Sequence, residues 1–415
     1  MLHMSKLLVF LGSLALVLYG VSAAFYGKVA AKEDAYKELS VFIDVLDRVA
    51  DDYVEVPSLD KVQEGAMRGL IAALDPYSSF LSREQYEEMQ KRNGAAGAGM
   101  ILSRRSDVVT VVSCERGGPA EQAGIRPGDY LISVDGELVE DKGIAVVESL
   151  LRGTPGAKLK VEIYRSSRSK PLQLDLTLDV PSPVTVTSSI EGSAGVLSVL
   201  SLNGTSVERI GTELEGLMAR GVDRILLDLR NCADGGARAG ADLANLFLPD
   251  GMIYYSRDRS GDKVDVVEAD PERFVTGLPM AVLINGSTAS AAEIAAGALK
   301  DRGRASVVGE KSFGVGSAQK TIHLRSGSVL VLSVAKFCTP GGKVIQDETG
   351  RNAGIVPDIQ VPDAETRQDL TVESYYEDSE EAEKYLQLRQ QIDRIQMERA
   401  LDVLGREGVP ASKAA

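Results

Sequence analysis

Histidine is almost missing from the chain, with only His3 and His323 among 415 residues, and the three cysteines Cys114, Cys232 and Cys338 are scattered. A zinc centre needs clustered imidazole or thiolate ligands, and a disulfide framework needs cysteines in register, so neither is expected. The cysteines read as small apolar residues, and only Cys232, inside a glycine-rich loop, draws attention. Basic residues are also in deficit, 46 against 60 acidic ones, for a formal charge of −14. Binding a phosphate backbone requires grouped lysine and arginine, which argues against nucleic acid as a partner. There are no paired histidines and no Walker-type loop, so no cofactor and no metal is implied.

What is present is ample apolar material, 44% of a chain long enough for two or three packed domains. Lys6 precedes an uncharged apolar run from Leu7 to Phe25, long enough for a bilayer-crossing helix of roughly 20 residues. Val21-Ser22-Ala23 also offers a small-residue cleavage site, so residues 1–25 read either as a membrane anchor or as a signal peptide. In both cases the folded part is expected outside the cytoplasm, in a bacterial cell envelope, with the N-terminal segment as its link to the membrane. Residues 35–92 carry two helical apolar stripes, Leu39, Phe42, Ile43, Leu46, Val49 and Tyr53, then Val62, Met67, Leu70, Ile71 and Leu74. They predict two packed helices.

Residues 94–180 form a separate small domain. Strands are expected at Val108–Ser113, Tyr130–Val134 and Lys158–Tyr164, with helices at Pro119–Ala123 and Ile144–Arg152. That order, with the turn Gly124-Ile125-Arg126-Pro127-Gly128-Asp129, resembles a bacterial PDZ domain. The resemblance implies that a peptide tail adds as a strand to a sheet edge. Backbone N–H groups of Gly97, Ala98, Gly99 and Met100 would face its terminal carboxylate as an anion nest, the alternative being that this run is a linker.

Residues 185–362 alternate strand and helix, which implies an α/β layer. Strands are expected at Val196–Leu202, Arg224–Leu229 and Pro279–Ile284, and helices at Val207–Met218, Arg238–Leu248 and Ala291–Leu299. Residues 363–415 are strongly charged, with a short stripe of Tyr385, Leu388, Ile392 and Ile395 that fits a packed or self-associating helix, which leaves a homo-oligomer open.

Ser290 falls at the junction of the strand 279–284 and the following helix, where free N–H groups and the helix dipole would stabilise an oxyanion. Ser290-Ala291-Ala292-Glu293 also fits a capping box, a purely structural role. The stretch Asn285 to Gln319, NGSTASAAEIAAGALKDRGRASVVGEKSFGVGSAQ, resembles the signature of the carboxy-terminal processing proteases, or tail-specific proteases. LDPYSSFL (74–81), DLRN (228–231) and TPGGKVI with GIVPDI (339–359) resemble further motifs of that family.

The resemblance implies a multidomain α/β fold in which a PDZ domain is inserted before a serine-peptidase core. It implies Ser290 as nucleophile, Gln319 as a second catalytic-site residue, and Gly235 with Ala291 as oxyanion hole, Gly236 being the other option for the glycine. The family's general-base lysine falls on Val315, which takes no proton, and a proline of the glycine-rich loop is replaced around Asp234. Neither His323, just before a turn, nor Lys320, on the opposite face of a strand from Gln319, is placed to substitute. Lys311 lies four residues away. Two functions are therefore expected: an exported serine endopeptidase that cleaves C-terminal tails by acyl transfer at Ser290 with impaired activity, or a pseudoprotease that binds tails or acts as a scaffold.

Overall fold

The computed structural model describes residues 40–92, 94–105, 108–166, 168–347, 353–361 and 378–406. The apolar run expected to be an anchor or signal peptide lies outside these residues. Among the described residues no helix is long and apolar enough to cross a membrane. The chain divides into two compact units, Met1–Met67 and Arg68–Ala415.

Helix α1 covers residues 40–52 and α2 covers Leu59–Ala72, as the two stripes predict. The stripes do not form a core, however. Ile43 and Tyr53 are exposed, as are Leu70 and Leu74, and Ile71 alone is buried among the described residues of the two stripes.

In the second unit, strand β1 (Ser79–Leu81) leads into α3 (Arg83–Lys91), and the small domain follows. Its elements are β2 (Ala96–Gly97), β3 (Met100–Arg105), β4 (Val108–Cys114), α4 (Pro119–Gln122), β5 (Tyr130–Val134), β6 (Glu137–Leu138), α5 (Ile144–Leu150), β7 (Arg152–Gly153), β8 (Lys158–Tyr164) and β9 (Leu172–Thr177). The main sheet runs β3-β4-β5-β8-β9, so β3 is an edge, and α5 packs beside it. The GIRPGD turn is held from below: Arg165 donates to both Asp129 carboxylate oxygens at 2.7 Å and to the Gly124 carbonyl at 2.8 Å. Asp129 in turn accepts the Arg126 N–H at 2.8 Å. Both charged side chains are buried. A pair desolvated in this way is tolerated because both carboxylate oxygens find donors.

The remaining elements build two sheets. They are β10 (Val186–Glu191), β11 (Ala194–Val199), α6 (Ser206–Ala219), β12 (Arg224–Asp228), α7 (Ala237–Asn245), β13 (Met252–Arg257), β14 (Lys263–Glu268), β15 (Met280–Ile284), α8 (Ala291–Asp301), β16 (Ser306–Gly309), β17 (Ser317–His323), β18 (Val329–Cys338), β19 (Ile359–Gln360) and α9 (Asp378–Arg406). One sheet runs β10-β11-β12-β15-β16-β19, parallel except for β10. Both faces of a parallel sheet must be covered, and here they are. Leu197, Ile225, Leu227, Val282 and Val307 pack with α6, α7 and α8, while Val196, Leu226, Ala281, Leu283 and Val308 pack with Ala400, Val403 and Leu404 of α9. Helix α9 is thus a layer of the core, and of its expected stripe Ile392 is buried and Ile395 exposed. The other sheet, β1-β18-β13-β14 with β17 on β18, is antiparallel where paired.

Candidate active site

Ser290 stands where β15, central in the parallel sheet, hands over to α8. The turn between them is pinned on both flanks. Thr288 Oγ1 donates to the Leu229 carbonyl at 2.8 Å and accepts the Asn285 N–H at 3.0 Å. The Ala289 N–H reaches the Cys232 carbonyl at 3.0 Å, and the Phe313 N–H reaches the Thr288 carbonyl at 2.9 Å. The consequence is a backbone at Ser290 with φ 55° and ψ −119°. A residue with a β-carbon pays about 1–3 kcal/mol for such a conformation, and persists in it only where its surroundings over-determine it.

Ser290 and Glu293 form the expected capping box, in which the Ser290 N–H donates to Glu293 Oε2 at 3.0 Å. Ser290 Oγ also donates to the carbonyl of Gly235 at 2.9 Å. The glycine-rich loop therefore does lie against Ser290. Gly235 has φ +85°, and a β-carbon on it would sit 2.7 Å from the Leu202 carbonyl and 3.2 Å from Cβ of Ala291, whereas one on Gly236 would meet nothing within 4 Å. Only Gly235 needs to be glycine. It turns an acceptor, its own carbonyl, toward the serine hydroxyl.

Asp234, beside it, points away from the serine. Its carboxylate accepts from Ser201 Oγ at 2.6 Å, the Leu202 N–H at 2.8 Å and Asn203 Nδ2 at 2.6 Å. Its charge is anchored by donors rather than aimed at the site. Cys232 is fully buried and unpaired, and burial first of all holds its thiol in the neutral form. Ala291, the first residue of α8, is buried against α7.

Val315 lies in the loop before β17, not on the strand itself, which starts at Ser317. Its side chain joins an apolar cluster with Val112, Ala233, Ala289, Ile101 and Phe313, so strands β3 and β4 of the small domain close over it. Its N–H donates to Glu293 Oε2 at 2.8 Å. Glu293 is a buried carboxyl on which donors converge. Besides Ser290 and Val315 it accepts the Gly314 N–H at 2.7 Å and Ser312 Oγ at 2.5 Å. Burial nevertheless dominates and pushes it up to about 7, against the hydrogen bonds that favour its charged form. The motif reading gave Glu293 only a capping role, and its hold on residues 312–315 depends on a loop that sequence periodicity does not describe.

Gln319 is on β17, where Nε2 donates to Ser317 Oγ at 2.9 Å and to Ser333 Oγ at 2.8 Å. Ser333 passes the connection on to Asp75 at 2.9 Å. Asp75 also takes the N–H groups of Tyr77 and Ser78, so the LDPYSSFL segment and Gln319 belong to one polar network. His323 is exposed and edge-on to Tyr86, with ring centroids 5.4 Å apart.

In the small domain the expected nest is partly engaged. The Gly97 N–H donates to the Asp179 carbonyl at 2.9 Å and the Ala98 N–H to the Leu151 carbonyl at 3.0 Å. Neither is a free donor in this conformation, which corrects their expected role. Gly99, with φ +67°, and Met100 follow at the start of the edge strand.

Comparison with known proteins agrees with this architecture. The peptidase family S41 model matches residues 193–361, and a PDZ domain model matches residues 110–165. A carboxy-terminal-processing protease of Bartonella bacilliformis is 31% identical over 336 residues, covering 80% of this chain and 76% of that protein. The carboxy-terminal processing protease CtpA of Bacillus subtilis is 31% identical over 323 residues, covering 76% and 68%. Among solved structures, the photosystem II D1 C-terminal processing protease superposes with a TM-score of 0.65 at 26% identity, over 80% of this chain and 97% of that one. With the PDZ domain, the parallel core and the motif segments all in their expected order, the chain belongs to the carboxy-terminal processing protease family, peptidase family S41.

Proposed function

We propose that this protein is an exported member of that family which binds C-terminal tails through its PDZ domain and cleaves them slowly, by acyl transfer at Ser290. The observation that carries the reading is the strained Ser290 backbone, which sets the hydroxyl at the positive end of α8 with Oγ donating toward the glycine-rich loop. Attack of Oγ on a peptide carbonyl places the oxyanion near the Ala291 N–H, and loss of the amine leaves an acyl-serine that water hydrolyses. The carbonyl that faces Ser290 belongs to the peptide between Gly235 and Gly236, so a turn of that peptide would present the Gly236 N–H, the other option for the oxyanion-hole glycine. The slow step follows from Val315, read as standing at the family's lysine position. The Ser290 proton is directed at a backbone carbonyl, which cannot remove it.

Tail binding is supported by the open β3 edge beside α5, to which an extended peptide adds as a strand. Export is supported by the apolar run 7–25 behind Lys6. The second reading, a pseudoprotease, is favoured by one feature: Val315 is apolar material in an apolar cluster, a packed site rather than a vacated one.

The two readings separate on Val315→Lys. Under the first, the native chain cleaves a PDZ-competent peptide very slowly, Val315→Lys raises the rate by about 100- to 10,000-fold, and Ser290→Ala abolishes the gain. Thermal melting is followed alongside, since an unpaired buried ammonium destabilises the cluster. Vigorous Ser290-dependent turnover by the native chain would overturn the missing-base reading. No cleavage by a stable Val315→Lys protein that still binds tails would establish the pseudoprotease.

A further inference from the structure

We propose that Asn231 is a positioning residue for the Ser290 centre and that helix α9 holds it there through Arg389, an inference that rests on the reading of Ser290 as nucleophile. Asn231 has φ 62°, a left-handed conformation that asparagine tolerates better than most side chains. Its hydrogen bonds reach three parts of the fold. Its N–H donates to Asn285 Oδ1 at 3.1 Å, and its Oδ1 accepts Asn285 Nδ2 at 3.0 Å. The same Oδ1 accepts Arg389 Nη2 at 2.7 Å. Its carbonyl accepts Ser113 Oγ, from β4 of the PDZ domain, at 2.8 Å. One residue thus ties together the turn before Ser290, the PDZ sheet and the C-terminal helix.

Arg389 does not approach Asn231 by chance contact of a loose helix. One turn on, Asp393 accepts Arg230 Nη1 at 3.3 Å through Oδ1 and at 3.0 Å through its carbonyl, and Gln396, itself 1% exposed, accepts the same nitrogen at 3.2 Å. Arg230 is locked in turn on Asp228 through Nε at 2.9 Å and Nη2 at 2.8 Å. The helix is therefore registered against the segment 228–231, and the charge-assisted bond from Arg389 falls on the residue that opens the glycine-rich loop. Cys232, next in sequence, supplies the carbonyl that holds the Ala289 N–H, and Gly235 supplies the one that accepts the hydrogen bond from Ser290 Oγ. A rotation of Asn231 moves both walls of the site together.

The chemistry of the contact selects the test. Oδ1 acts only as an acceptor toward Asn285 and Arg389, so aspartate preserves it, while glycine keeps the left-handed backbone and deletes it. The full-length chain and its Asn231→Gly, Asn231→Asp, Arg389→Ala and Ser290→Ala variants are labelled with a fluorophosphonate, with tail-peptide affinity and amide hydrogen exchange measured on the same samples. Asn231→Gly and Arg389→Ala are expected to slow labelling by about tenfold or more, Asn231→Asp to stay within about threefold of native, and peptide affinity to be unchanged. Exchange over 231–236 and 285–289 rises in the first two variants and not in the third. Native labelling rates and exchange in Arg389→Ala, or equal loss in Asn231→Asp and Asn231→Gly, would overturn the proposal. If the native chain does not label at Ser290 at all, the nucleophile reading fails. Positioning is then judged on exchange alone, and unchanged exchange in Arg389→Ala rejects it.

Discussion

Glu293 shows how far one substitution reaches at the scale of a residue. Donors from Ser290, Ser312, Gly314 and Val315 converge on its carboxyl, yet burial still raises it from the ordinary 4.5 to about 7. Because the folded value lies above the unfolded one, its stabilising contribution is complete below about 4.5 and is lost as pH rises through about 7. Each pH unit crossed in that window costs about 1.4 kcal/mol. Urea midpoints of the native chain should therefore fall, relative to Glu293→Gln, between those pH values and run parallel above them. A constant difference across the window would mean that Glu293 ionises normally. An ammonium introduced at position 315 would pull the same window downward, because it would favour the carboxylate.

Elements bring a constraint that no single residue carries. Helix α7 crosses the start of α8 so closely that a β-carbon on Gly240 would lie 2.1 Å from the Ala291 carbonyl. The clash is with backbone and cannot be relieved by a rotamer. Gly240→Ala should cost at least the 1–3 kcal/mol of an overpacked core and should slow Ser290 labelling, since α8 is displaced at the end that bears it. Equal melting temperatures for the two proteins would contradict the close crossing. Gly240 was not legible in the sequence, where it is one small residue in an alanine-rich helix. Strands such as Tyr130–Val134 and Lys158–Tyr164 were legible, because short apolar or alternating runs between turn residues have few other uses. The engaged amides of Gly97 and Ala98 were not, since their partners, Asp179 and Leu151, lie far along the chain. Ser290 was readable as a junction residue and as a cap, but its strained backbone was not. The orientation of Asp234 likewise depended on partners about 30 residues upstream.

For the whole molecule the first question is where it works. If the run 7–25 directs export, protease added to intact spheroplasts should digest the folded part, and full protection by the inner membrane would contradict it. Within the second unit the parallel sheet and the PDZ domain meet at the Ser290 turn, through Ser113 on Asn231 and through Ile101 and Val112 on the cluster around Val315. Fold alone does not decide what such an arrangement does, and Val315→Lys is the experiment that does.

Helix α9 is the last described element of the chain, yet it covers one face of the central sheet and reaches the residue that opens the glycine-rich loop. Synthesis runs from the other end, at about 5–20 residues per second, so the sheet must wait with that face bare. A nascent chain therefore carries Ser290 before Arg389 can reach Asn231 and before Ala400, Val403 and Leu404 can cover the sheet.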